Sequence, residues 1–441
     1  MLNRRNFMKK AALASGTAMA VKPIKALGSR YQTSSDYFGV HEFIENHPEA
    51  VFIMKTNVDV KTNHEAVTSA GMAFGQSVFV PKDDGVPITS MLTIKPNITN
   101  TSRSSNPANN DEYRMGIITD PWFVEGVIES VKSLGLSGSQ VHSIETWNLG
   151  NWGPAGYTDM TTRTGSNMND TEETVVTSLP EEKVQWIDVP EGVFFRRIPY
   201  IWPINAENTW LLNISKFKAH GMGITLCCKN LQGTICHDYQ LHCNRFDSTI
   251  PMDSAHRSPT AYQDIQANYD RHVSDGIPRW DRPGGNGGIW METWASRCLD
   301  NNSVTPCGLH IIEGVYGRDG DGFLNGPNSG EYSTHEAWDY MTNIIIFGKD
   351  QYRVDIIGHW LAEQEPGNFG LFHMAIDRGL SNALNPMNIQ VYEWFPDSSP
   401  VLTNLTEFER TPLRTYYLQR DYDGQTEEQY HLCDEYYDYP A

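Results

Sequence analysis

Between Ser215 and Gly233 the chain reads SKFKAHGMGITLCCKNLQG, which sets Lys216, Lys218, His220, Lys229 and Asn230 among apolar residues. In an extended strand Lys216, Lys218 and His220 share one face. Ammonium groups beside an imidazole can clamp a carboxylate or phosphate, and the imidazole can take or give a proton. Lys229 and Asn230 add a further charge and an amide. A lysine in a dry site loses pKa and can serve as a base. The same spacing also describes a solvated surface hairpin, and spacing alone leaves both readings open. The chain carries 54 acidic against 34 basic residues, a net charge of −20. Such a surface repels nucleic acid and anionic membrane, so neither is expected as a partner, and a basic cluster stands out against it.

Other residues offer chemistry with less focus. Gly317-Arg318-Asp319-Gly320-Asp321-Gly322, followed by Asn325-Gly326-Pro327, places aspartates at alternate positions of a glycine-rich loop. That resembles part of a calcium loop, but Phe323 and Leu324 stand where ligands belong. A tight loop facing a ligand and a plain surface turn are the alternatives. Asp350 and Asp355 flank Tyr352 and Arg353; Asp350 follows a strand end, where α/β sheets place functional side chains, and it also suits a helix N-cap. Of seven cysteines, Cys227, Cys228, Cys236 and Cys243 cluster with His237 and His242. Their spacing fits no zinc or iron–sulfur pattern, so no metal ligand is assigned. Buried thiols with one local disulfide, Cys298 to Cys307, are expected. No nucleotide-binding, Walker, G-x-S-x-G or HExxH motif occurs, and no cofactor is identified.

The elements that must position these residues follow from apolar periodicity. Strands are expected at Val51–Lys55, Val78–Val80, Met91–Lys95, Gln140–Glu145, Val184–Ile187, Val193–Ile198, Trp210–Lys216, Leu309–Glu313 and Asn343–Phe347. Asp120 as N-cap and Pro121 at the first helical position open a helix whose Val124, Val127, Ile128 and Val131 share a face. Strand, helix, strand in that order is a βαβ unit. Further helices are expected at Val354–Leu361 and Phe372–Leu380. The expected fold class is α/β: a mixed or mostly parallel sheet flanked by helices, with long loop insertions. The expected division is a signal peptide and linker over 1–30, an N-terminal α/β half over 45–205, a C-terminal half with the signature motifs over 206–385, and a Tyr-rich acidic extension over 386–441.

Arg4-Arg5-Asn6-Phe7-Met8-Lys9-Lys10 ahead of Ala11–Ala20 reads as a twin-arginine export signal, with cleavage after Ala18-Met19-Ala20. A periplasmic or otherwise exported protein is expected. No other window is long and apolar enough to span a membrane, so no integral membrane segment is expected after cleavage.

Several segments read together resemble the family called domain of unknown function 362. Ile94-Lys95-Pro96-Asn97 is similar to its strand-ending motif, and Thr119-Asp120-Pro121 to its helix start. Lys218-Ala219-His220, Thr225-Leu226 and Lys229-Asn230-Leu231-x-Gly233 resemble its central signature. Asp321 to Gly330, Asp350 to Asp355 and Gly379-Leu380 follow in its order. The resemblance spans residues 50–385 and brings no settled activity. Some members carry an attached ferredoxin-like module; no C-x-x-C-x-x-C run exists in this chain, so the resemblance implies no iron–sulfur cluster. Motifs and spacing together lead to the expectation of a small anionic ligand, carboxylate or phosphate. Lys95, Asn97, Lys218, Asn230, Asp321 and Asn325 would bind it, with His220, Lys229 and Asp355 as candidate catalytic groups. A non-catalytic periplasmic binding or metal/redox accessory protein is the alternative.

Overall fold

A strand covered on both faces reads as an unbroken apolar run. The runs at 51–55, 91–95, 309–313 and 343–347 all become strands of one sheet. The computed structural model describes residues 35–98, 116–146, 152–169, 184–220, 223–236, 257–278, 288–318, 339–413 and 436–440. Residues 1–34, with the expected signal, lie outside them; the described residues from Ser35 onward fall in one compact unit.

In chain order the strands are β1 (Tyr37–Val40), β2 (Val51–Lys55), β3 (Phe79–Lys82), β4 (Val86–Pro87), β5 (Met91–Pro96), β6 (Val141–Ser143), β7 (Asn167–Met168) and β8 (Val184–Asp188). They continue with β9 (Arg197–Ile201), β10 (Thr209–His220), β11 (Gly223–Thr225), β12 (Leu309–Arg318), β13 (Asp339–Tyr340), β14 (Ile344–Gly348), β15 (Val391–Trp394) and β16 (Val401–Leu402). The main sheet runs β16-β15-β2-β14-β12-β10-β5-β6-β7, with β11 on β10 and β13 on β12. Strands β12, β10, β5, β6 and β7 are mutually parallel, and β14 is antiparallel to β12 and β2. This is the mixed, mostly parallel α/β sheet expected from the sequence.

Helices cover both faces, which gives two apolar cores. On one side Phe74 of the helix His64–Val78 and Phe123, Val127 and Val131 of the helix Pro121–Lys132 pack on Leu212, Ile214, Ile311 and Phe347. The two helices meet at glycines: a Cβ on Gly126 would lie 2.2 Å from the Thr68 carbonyl oxygen, and one on Gly71 2.1 Å from that of Phe123. On the other side Val354, Ile357 and Leu361 of the helix Gln351–Leu361 pack on Ile53, Ile312 and Ile346. The helices Ile289–Asn302 and Gly370–Asp377 extend that core with Leu299 and Phe372.

Most expected elements form, with instructive shifts. The βαβ unit forms with β5 and β6 parallel, and Asp120 caps its helix by accepting from the Trp122 amide at 2.7 Å. The strand expected at 193–198 instead occupies 197–201, because Val193, Phe194 and Phe195 give their amides to the buried carboxylate of Asp300 at 3.0, 2.7 and 2.8 Å. The strand expected to end at Lys216 runs on to His220, and its apolar continuation divides into β11 and a four-residue helix, Cys227–Asn230. The expected disulfide between Cys298 and Cys307 does not form. Cys298 faces into the second core, whereas the Cys307 thiol lies 3.8 Å from the Thr305 carbonyl. No described helix is long and apolar enough to cross a membrane.

Candidate functional site at the carboxyl ends of the strands

Strands β5, β10 and β12 run side by side and release their chains at the same edge of the sheet, where α/β proteins place ligands. Asn213 of β10 is in register with Lys95 of β5 and His310 of β12. Beyond Lys216–Glu313 the register breaks, and the next pair is Lys218–Arg318. On the β10 side, Phe217 is the one residue opposite residues 314–317 of β12. Two glycines make that bulge possible: a Cβ on Gly317 would lie 2.9 Å from the Phe217 ring, and one on Gly314 2.9 Å from the Ile344 carbonyl oxygen. The bulge carries Arg318 round to Lys218.

Side chains alternate between faces, so the strand ends make two polar clusters. On the face of the Cys227–Asn230 helix, the Lys95 ammonium is 1 % exposed and donates to Glu145 Oε2 at 2.8 Å, the Pro96 carbonyl at 2.6 Å and Asn230 Oδ1 at 3.2 Å. Asn97 Nδ2 reaches the same Asn230 oxygen at 3.2 Å. Asn230 Nδ2 donates to the Lys95 carbonyl and to Asn213 Oδ1, each at 2.8 Å. Gly233 seals this group: a Cβ there would stand 2.3 Å from both Glu145 Oε1 and Lys95 Cε. Burial pushes the Lys95 pKa down; Glu145 opposes that shift and Lys229 adds to it.

On the opposite face Lys216 and Glu313 form a fully buried ion pair at 2.7 Å. The Lys216 ammonium stands 3.5 Å from the centre of the Tyr316 ring. Tyr316 donates its hydroxyl to Asp120 Oδ2 at 2.5 Å, and the Asp120 amide donates to Glu313 Oε2 at 3.2 Å. Burial raises both carboxyl pKa values while Lys216 holds them back. Lys216 is thereby a structural ion-pair partner.

Lys218 and His220 end β10, and Lys229 lies in the Cys227–Asn230 helix that follows. Lys218 is fully buried and donates to the Ile117 carbonyl at 2.6 Å. Burial, then Lys229, Arg318 and Lys216, push its pKa well below the usual lysine value, against the pull of Glu145. Burial, Lys229 and Lys218 likewise hold His220 well below the usual histidine value. These cations are therefore near enough to feel one another.

Asp355 lies deeper. Its two carboxylate oxygens accept the backbone amides of Cys227 and Cys228, each at 2.8 Å. Asp350 caps its own helix through the Tyr352 and Arg353 amides, at 2.8 and 3.1 Å. Asp321, Asn325, His237, His242 and Cys243 lie outside the described residues. Among the described residues no group of three His, Cys, Asp or Glu is placed to hold a metal ion.

The structure thus gathers Lys95, Asn97 and Asn230 directly, with Lys218, His220 and Lys229 alongside. Glu145, Glu313 and Asn213 join the site without having stood out in the sequence. The two glutamates had a legible signal, since each closes an apolar strand run, QVHSIE and LHIIE. Asn213 sits inside WLLNISK, where nothing local distinguishes a functional amide from a tolerated one.

A helix-flanked, mostly parallel sheet with charged and amide side chains buried at its carboxyl edge defines an α/β protein with a strand-end polar site. The chain matches the family model described as Domain of unknown function (DUF362) over residues 92–359, more than half its length, and belongs to that family. The match starts in β5, ends in the helix Gln351–Leu361 and takes in both polar clusters. No curated protein and no solved structure matches the chain.

Proposed function

We propose that the chain binds a small anion, a carboxylate or phosphate, at the carboxyl ends of β5, β10 and β12. Lys95, Lys218 and Lys229 attract it, Asn97 and Asn230 orient it, and His220 is the group suited to move a proton on it. Asp321 and Asn325 join the binding set on their sequence positions alone. One observation carries this reading. Lys218, His220 and Lys229 are 0, 9 and 9 % exposed and close enough for Lys229 to act electrostatically on the other two, in a chain of net charge −20. Burial disfavours the protonated forms of Lys218 and His220, and an anion bound beside them would favour those forms. The engagement of Lys95 by Glu145 and of Asp355 by two amides favours a second reading within the same site: a binding or accessory protein that holds its ligand without turnover.

The test is calorimetric titration with inorganic phosphate and with succinate. The wild-type chain is expected to bind at least one of them, and Lys218→Met and Lys229→Met each to abolish binding while circular dichroism stays unchanged. Unaltered binding in both variants would refute the assignment. The Arg4-Arg5 segment and the small residues that follow support export through the twin-arginine route. Intact-mass measurement on protein from the cell envelope is expected to give a chain starting at Val21; a chain retaining Arg4 and Arg5 there would argue against cleavage.

A further inference from the structure

We infer that Asp355 is a positioning residue: it sets how the Cys227–Asn230 helix presents Lys229 and Asn230 to the anion, and makes that presentation depend on pH. The inference rests on the anion-site reading above. A four-residue helix cannot hold itself together, because nucleation costs more than one turn returns. Its first amides are orphan donors, and the N-cap residue Leu226 has no side chain to take them. Asp355, from a helix more than a hundred positions along the chain, supplies both acceptors. At the other end Asn230 is tied to β5 and β10 through the Lys95 carbonyl and Asn213. The Asn213 amide also donates to the Cys227 carbonyl at 2.9 Å. The helix that carries Lys229 is therefore clamped at both ends, and one clamp is ionisable.

The surroundings of that clamp are apolar. Ile53, Ile312, Ile346, Leu226, Val354 and Ile357 belong to the core packed there. The titratable groups facing the carboxylate are the Cys227 and Cys228 thiols, both pushed up by burial and by Asp355 itself. Cys298 reaches the Cys228 side from the helix Ile289–Asn302. On β12, His310 is engaged with Asn213 at 3.1 Å. On Asp355's own helix, His359 packs against Phe369 and Phe372, Tyr352 is buried, and Asp350 pairs with Arg353. Among the described residues Asp355 has no ion-pair partner. Burial raises its pKa to about 7, against the lowering effect of the cysteine contacts. Once protonated, one oxygen becomes a donor pointed at an amide donor, and the clamp opens.

The sign separates this effect from the site's own charges. Any proton gained by Lys218 or His220 on acidification strengthens anion binding. Neutralising Asp355 weakens it. Sulfate keeps its charge through the neutral range and is the probe. By calorimetry the wild-type chain is expected to bind sulfate about tenfold more weakly near pH 6 than near pH 8, following the ionised, competent fraction. Asp355→Asn is expected to bind weakly at both and to lose the acid decline. If that variant does not fold, the wild-type profile decides. Sulfate affinity that stays level or rises on acidification overturns the role of Asp355 and leaves the anion site standing. An acid decline that persists in folded Asp355→Asn overturns it too. No sulfate binding at any pH overturns the role of Asp355, and the anion site falls with it only if phosphate and succinate also fail to bind.

Discussion

Asn230 makes four hydrogen bonds with one amide group, two accepted at Oδ1 and two donated by Nδ2. That full engagement fixes which atom faces Lys95 and ties residues far apart in the chain into one buried network. Asn230 is satisfied at every position, whereas Asn97 Oδ1 in the same network is buried without a hydrogen-bond partner. Gly233 matters for a complementary reason: there is no room for a Cβ above the Lys95–Glu145 pair. Gly233→Ala is expected to push Lys95 off Glu145, lower stability by about 1–3 kcal/mol as an overpacked core does, and weaken phosphate binding. Urea unfolding with parallel calorimetry checks this; a variant matching wild type in both would show that the contact is not confining. At this scale the sequence was informative wherever residue type was unusual for its setting, as with lysines in an acidic chain. It was silent where the type was ordinary. An asparagine in a strand, or a glutamate after an apolar run, becomes meaningful only once the sheet puts Asn213 beside Asn230 and Glu145 beside Lys95.

Elements were legible when their pattern was self-contained. The runs at 51–55 and 91–95 and the Asp120-Pro121 start each carry a local physical cause, and all three form where expected. The helix His64–Val78 was not expected. Its buried positions Val67, Gly71, Phe74, Gly75 and Val78 include two glycines, which dilute the apolar stripe because they are there for close helix contact. The helix Ala261–Ser274 is mostly polar, with Ala261, Ile265 and His272 buried, so its periodicity is faint. The bulge in β12 was also beyond local reading. Gly314 and Gly317 look like strand breakers, yet they extend the strand to Arg318 by making room for Phe217. The shift of the 193–198 strand has a similar origin: Asp300, more than a hundred residues away, captures the amides a strand would have used.

For the molecule as a whole, the α/β class and the sheet's mixed character could be read from the order of strands and helices. The strand order could not, because β2, β14 and β15 join through long-range pairings that no local pattern encodes. The same topology turns scattered motifs into one site. Residues 95–97, 218–220 and 229–233 come from separate parts of the chain and meet where β5 and β10 end. On the proposed anion-site reading, a chain of net charge −20 repels anions at long range, so the ligand is expected to be small enough to reach the buried basic edge. A crystal structure with inorganic phosphate bound tests the central claim most directly. The account predicts phosphate at the carboxyl ends of β5, β10 and β12, within hydrogen-bond reach of the Lys218 and Lys229 ammonium groups, with the Lys216–Glu313 pair undisturbed. Phosphate bound only elsewhere, with Lys218 and Lys229 turned away from it, would contradict the account.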